Sequence, residues 1–302
     1  MALGLSIFMN NVLPSFAVIG VGYVLERLIK VDKRTLSRLA IYVLTPCLVF
    51  SSIVKSQVDP AEFGRLTAYV IAFTLVMIAA GLAVGRLLGW SQQAIRALML
   101  SIAFTNSGNM GLSIILFTFG EAGFALGATY FVATNLTANT LAAFIAAHGR
   151  GSLGQTLLQV LKLPGIYAFA LALLLRSAAP LPNAVMRPVE LIAQAQIPIM
   201  LMMLGVQLAQ TRIGKRIKDI SIGVILRLVG GAALAFGLAP LLGLSGLARD
   251  VAIAQSATPT AVSSALMAIE FGADADYVAS VIFFSTLLSS ITMSALLALL
   301  TT

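Results

Sequence analysis

Ala103-Phe104-Thr105-Asn106-Ser107-Gly108-Asn109-Met110-Gly111-Leu112-Ser113 decides how this chain is read, because it sets amides, hydroxyls and glycines in the middle of an otherwise apolar run. A second stretch, Gln255-Ser256-Ala257-Thr258-Pro259-Thr260-Ala261-Val262-Ser263-Ser264, does the same towards the other end. A continuous helix in lipid satisfies its own backbone, whereas a break frees N–H and C=O groups that must then face protein, water or a ligand. The two stretches are therefore expected to be broken helices that form the site. Gly108 and Gly111 permit unwinding and close approach, and Pro259 removes a backbone donor.

The lipid context comes from composition. Of 302 residues, 59% are hydrophobic and 10% charged, with a mean hydropathy of +1.00. A soluble domain of this length has no interior for so much apolar side chain, so the class is a polytopic all-α membrane protein. Windows of about 20 apolar residues select ten spans, at 7–28, 36–54, 66–88, 94–119, 124–147, 163–178, 189–208, 220–242, 251–269 and 277–299. The first carries Asn10, Asn11 and Pro14 and has no basic segment before it, so it reads as a retained span and not a cleaved signal.

The net charge of +8 lies in short clusters between spans, which points to topology and away from nucleic acid. Thirteen Lys and Arg fall in the loops at 27–38, 86–96, 150–162 and 212–218, against five in the alternate loops, and Arg227 falls inside a span. The basic side is assigned to the cytoplasm, which puts both termini outside. One cysteine, Cys47, excludes an intramolecular disulfide, and one histidine, His148, excludes a His-rich metal site. No cofactor or metal is expected.

The chain also matches itself at an offset of 152 residues: Pro46 falls on Pro198, Phe119-Gly120 on Phe271-Gly272, and Phe131 and Thr134 on Phe283 and Thr286. The two polar stretches superpose in nearly the same register. Five spans per half is an odd number, so the halves are expected to be inverted repeats, residues 1–148 and 163–302, joined by a short cytoplasmic linker at 149–162. Secondary transporters are built this way, with the site where discontinuous helices meet at mid-membrane.

The proline-containing Ile41-Tyr42-Val43-Leu44-Thr45-Pro46-Cys47-Leu48-Val49-Phe50, the Asn106-Ser107-Gly108-Asn109-Met110-Gly111 segment, the Phe119-Gly120-Glu121 turn and Thr258-Pro259-Thr260 together resemble the auxin efflux carrier family, bacterial members included. The resemblance covers nearly the whole chain. It implies ten helices folded as in sodium/proton antiporters and bile acid symporters, with helices four and nine crossing at their breaks. It further implies a scaffold of spans one, two, six and seven, often dimeric, and a transport unit of spans three to five and eight to ten. Substrates of bacterial members are small organic acids of the malonate or malate type, and plant members export auxin. The long cytoplasmic loop of the plant proteins is missing here.

Half-helix N-termini aimed at a gap suit a carboxylate, and Thr105, Asn106, Ser107, Asn109, Thr258 and Thr260 add neutral donors and acceptors. Pro46 and Pro198 are the matching hinges of spans two and seven. Asn135 and Asn139 share a helix face, lining the cavity or bridging to a neighbouring helix. Gln207 is a candidate on the scaffold side. Arg227 is an intramembrane cation and so a candidate substrate contact, yet it lies about 10 Å from a span end, within reach of snorkelling.

No Asp or Glu falls mid-span, which disfavours coupling through a central carboxylate; sodium or proton coupling and uniport all remain open. The expected function is a secondary carrier of a small organic anion in the bacterial inner (plasma) membrane, with a scaffold-mediated homodimer and the bilayer as partners. A channel would want a continuous polar stripe, and a membrane-embedded enzyme would want a metal site or Asp pair; both are weaker readings.

Overall fold

The computed structural model describes residues 2–55, 59–147, 164–175, 181–211, 214, 216–270 and 272–301. Among them seven helices are long and apolar enough to cross a membrane: α1 (Leu5–Ile29), α2 (Thr35–Lys55), α3 (Ala61–Leu87), α5 (Ser107–Ala138), α7 (Asn183–Gln210), α8 (Ile217–Leu241) and α11 (Ala275–Leu300). Shorter helices complete the set: α4 (Gln92–Ala103), α6 (Pro164–Leu175), α9 (Gly246–Ser256) and α10 (Ser263–Glu270). The expected linker, residues 149–162, lies outside the described residues.

Local chemistry sets the ends and bends. Asp59 caps the helix that becomes α3 by accepting from Ala61 N, and Pro60 follows it. Ser91 accepts from Ala94 N to start α4. Pro14 and Pro46 supply no N–H to the preceding turn. Each is preceded by a widened π-turn, Phe8–Val12 in α1 and Ala40–Leu44 in α2. Pro198 follows an irregularity at Ala195 in α7. Gly120 (φ 63°) turns the chain within α5, where the sequence places the boundary between its fourth and fifth spans, and Gly272 (φ 60°) turns it between α10 and α11. A left-handed residue is what glycine tolerates and other residues resist.

Two groups of helices emerge from the contacts. In the first, α1 packs along α7, and α2 packs against α6 and α7. The α1–α7 seam is backbone on backbone: a Cβ at Gly22 would lie 2.0 Å from Met202 O, and one at Gly205 would lie 1.9 Å from Ile19 O. Lipid is as apolar as leucine, so such close approach, more than burial, binds helices in a membrane. Gln196 Nε2 donates to Thr45 Oγ1 at 2.9 Å beside the two hinge prolines, tying α2 to α7. In the second group α3 packs on α4 and α5, α8 on α9, and α11 on α4 and α10. Its interior is filled by Tyr69, Phe73, Leu98, Ile102, Phe104 and Met110.

Candidate functional site

Two helix interruptions meet inside the second group. After α4 the chain leaves helical geometry at Phe104 (φ −102°, ψ 119°) and regains it at Ser107; after α9 it is irregular from Ala257 to Val262. The extended residues pair as a single antiparallel bridge, Thr105 with Thr260. Asn106 N donates to Pro259 O at 2.8 Å and Ala261 N to Phe104 O at 2.9 Å. The breaks thus satisfy part of each other's freed backbone, as burial in an apolar medium demands.

Side chains meet four of the carbonyls at the two half-helix C-termini. Thr260 Oγ1 donates to Ser101 O at 2.7 Å, and Thr258 Oγ1 to Gln255 O at 2.7 Å. Arg227, fully buried, donates from Nη1 to Ile102 O at 2.5 Å and from Nη2 to Ser256 O. One guanidinium therefore caps both α4 and α9. It sits over the Phe73 ring at 5.6 Å, within a π-turn, Leu226–Gly230. A Cβ at Gly231 would come within 2.8 Å of Nη2. The snorkelling expectation is corrected: capping two buried carbonyls holds the side chain inward. The Ser256 hydroxyl is shared by Tyr69 OH at 2.8 Å and Tyr130 OH at 3.0 Å, which pins α3, α5 and α9 together.

Thr105, Asn106, Ser107, Gly108, Asn109, Gly111, Thr258, Pro259 and Thr260 are all buried at or beside the bridge. Gly108 and Gly111 lie downstream of the break itself, in its first helical turn, with no left-handed φ. Their smallness admits neighbours: a Cβ at Gly108 would lie 2.4 Å from the Phe131 ring, and one at Gly111 would lie 2.0 Å from Gln255 Oε1. Asn135 is exposed, and its Nδ2 donates to Phe131 O of its own helix. The Asn139 side chain lies outside the described residues. Gln207 is half-buried on α7, and Pro198 lines a cavity.

That cavity, of about 990 Å³, lies between the two helix groups. Ser51 and Ser52 of α2, Gln194 and Pro198 of α7, and Phe117 and Glu121 of α5 are among its walls. Lys55 Nζ and Glu190 Oε1 form an ion pair at 2.9 Å in its lining. Leu48, Leu112, Phe124 and Ala193 cluster with Ile197 and Phe131, and Phe131 in turn touches Gly108, so apolar side chains stand between the cavity and the bridge. Sequence reasoning missed the roles of Tyr69, Tyr130, Gln255 and Ser256. The last two stood in the second polar stretch, whereas a lone tyrosine on an apolar helix gives no signal.

Comparison with known proteins gives the family. The family model described as "Membrane transport protein" matches residues 7–149 and 146–297. The chain is similar to an uncharacterized transporter of Methanothermobacter thermautotrophicus, 25% identical over 300 residues, covering 95% of this chain and 97% of the relative. It is also similar to an uncharacterized transporter of Methanocaldococcus jannaschii, 24% identical over 264 residues, covering 85% of this chain and 86% of the relative. The protein is an integral membrane protein, and it belongs to the membrane transport protein family, that of the auxin efflux carriers.

Proposed function

We propose that the protein is a secondary transporter of a small organic anion, a carboxylate, working by alternating access. In this reading ten spans form two inverted five-helix repeats. The short α4 with the first turns of α5 makes the fourth span, and α9 with α10 makes the ninth. Support for the repeat comes from Gly120 and Gly272, left-handed at the same 152-residue offset as the sequence self-match. The α1, α2, α6 and α7 group is the scaffold and the face for a homodimer, and the other group moves. With both termini outside the bacterial inner membrane, the cavity mouth at Lys55 and Glu121 opens to the exterior. A negative-inside potential then drives an anion outward.

The observation that carries the reading is the cavity between the two groups, whose lining residues Leu48 and Phe124 cluster with Leu112, the residue that follows the first turn after the break. A carrier needs a compartment that ends at its site, whereas a channel needs one that runs through. The test is counterflow of a carboxylate panel in proteoliposomes. Asn109→Ala and Pro259→Ala should slow it. Unchanged counterflow in both variants, or unitary currents in planar bilayers, would overturn the reading.

A further inference from the structure

Two apolar seams join the helix groups. In one, Leu48 of α2 and Ala193 and Ile197 of α7 cluster with Leu112, Phe124 and Phe131 of α5, and four of these six, Leu48, Phe124, Ala193 and Ile197, also line the cavity. In the other, Val262, from the second break, and Phe283 of α11 pack against Leu201, Leu204 and Leu208 of α7 and Ile19 of α1. The cavity takes α7 from Glu190 to Pro198, and the second seam takes it from Leu201 to Leu208. Gln194 and Leu204 are ten residues apart, about 15 Å along a helix. One face of the boundary between the groups is thus open. The other is shut, with Leu201, Leu204 and Leu208 no more than 5% exposed.

The two seams correspond under the 152-residue offset. Phe131 falls on Phe283, and the hinge proline Pro46 falls on Pro198. The turns that close α3 and α8 are also built alike. Trp90 N donates to Gly85 O and Gly89 N to Arg86 O in one, and Leu244 N donates to Ala239 O and Gly243 N to Pro240 O in the other. Gly89 (φ 67°) and Gly243 (φ 71°) are both left-handed, as this helix ending requires. Side chains at corresponding positions nevertheless differ. Counted from the prolines, Ser51, Ser52 and Lys55 of α2 fall on Met203, Leu204 and Gln207 of α7. Opening either face admits water to its wall. Hydroxyls and an ammonium accept that water, whereas wetting a leucine is unfavourable in proportion to its apolar area.

Resting on the carrier reading above, we propose that the unlike pair Ser52 and Leu204 sets which face stands open in the absence of ligand. The Lys55 face is favoured because Leu204, with Val262 and Phe283 packed at its cluster, makes the opposite face costly to wet. The pair is a conformational bias built into the repeat, fixing the fraction of carriers that present the site to each side. Apparent affinity is lowered on the face that is seldom open, in proportion to that fraction.

The test uses the full-length protein in sealed proteoliposomes, a Cys47→Ser background and a membrane-impermeant maleimide. Ala122→Cys reports on the cavity and Leu208→Cys on the seam, each in its own variant. Leu204→Ser should raise the ligand-free rate at Leu208→Cys about tenfold, a shift of about 1.4 kcal/mol between the two states, and should not raise the rate at Ala122→Cys. Ser52→Leu combined with Leu204→Ser should raise the first rate further and lower the second, as the bias inverts. Ser52→Leu alone should act in the same direction, and it carries the test if no Leu204→Ser variant folds. Rates that rise at both reporters would mean a loosened fold, and rates equal to the parent's would mean that the pair sets nothing; either overturns the proposal. Counterflow of malonate, malate and benzoate by the parent protein separates this outcome from the carrier reading. With any of the three counterflowing, the bias alone is overturned; with none, both are.

Discussion

Arg227 and Ser256 meet at the last turn of α9, where Nη2 donates to a carbonyl whose own residue holds the hydroxyls of Tyr69 and Tyr130. One residue is thereby bound from α3, α5 and α8 at once. The contact fixes where α9 stops. It also joins α9 to α4, because the other guanidinium nitrogen donates to Ile102 O. Arg227→Met deletes both bonds and leaves two buried carbonyls unmet, at about 1–3 kcal/mol each. In detergent its thermal midpoint should fall by several degrees, at roughly 2–4 °C per kcal/mol. Arg227→Lys should fall between, since an ammonium is a point donor without the fork that spans two carbonyls. A midpoint unchanged in the Met variant would show that the cap contributes nothing to stability.

The shared hydroxyl of Ser256 predicts non-additivity. Ser256→Ala leaves two buried tyrosine hydroxyls without their common partner, costing about 1–3 kcal/mol. Tyr69→Phe in that background should cost less than in the wild type, with a coupling of about 0.5–3 kcal/mol between the two sites. Thermal midpoints of the two single variants, the double variant and the wild type close the cycle. Additive losses would mean that the hydroxyls do not act as one network.

The α1–α7 seam predicts opposite signs for glycines two residues apart. At Gly205 a new methyl meets the Ile19 backbone, and at Gly22 it meets the Met202 backbone, neither of which can move aside as a side chain would. Gly22→Ala and Gly205→Ala should each destabilise by about 1–3 kcal/mol. A Cβ at Gly20 would meet nothing within 4 Å, so Gly20→Ala should be neutral or stabilising by up to about 1 kcal/mol. Equal behaviour at Gly20 and Gly22 would refute close packing as the reason for the seam.

The breaks themselves were legible because their chemistry is local: amides, glycines and a proline in an apolar run leave a helix few ways to continue. The turns at Gly120 and Gly272 were legible from their paired Phe-Gly steps. What spans the gap was not. Arg227 reaches a carbonyl 125 residues away from a π-turn that contains no proline, so neither the partner nor the widened turn has a sequence signal. Tyr69 and Tyr130 look like packing residues until Ser256 stands between them. The role of Gly108 and Gly111 also shifted, since the chain bends before them and they serve neighbours, Phe131 and Gln255.

The cavity predicts sidedness. Ser52 of α2 and Ala122 of α5 line it from opposite walls, whereas Arg38 lies near the other end of α2, some 14 residues of helix away, or about 21 Å at 1.5 Å per residue. In a Cys47→Ser background, Ser52→Cys and Ala122→Cys should react with a membrane-impermeant maleimide from one face of sealed vesicles, and Arg38→Cys from the other. Asn109→Cys should react slowly from that first face, because Asn109 is only 9% exposed and the apolar cluster around Leu112 stands between it and the cavity. A carboxylate that favours the alternate state should lower the rate at Ser52 and Ala122 together, since both walls close when one group slides past the other. Reaction of Ser52 and Arg38 from the same face would remove the cavity from the transport path, and independent changes at Ser52 and Ala122 would replace a moving group with local side-chain motion.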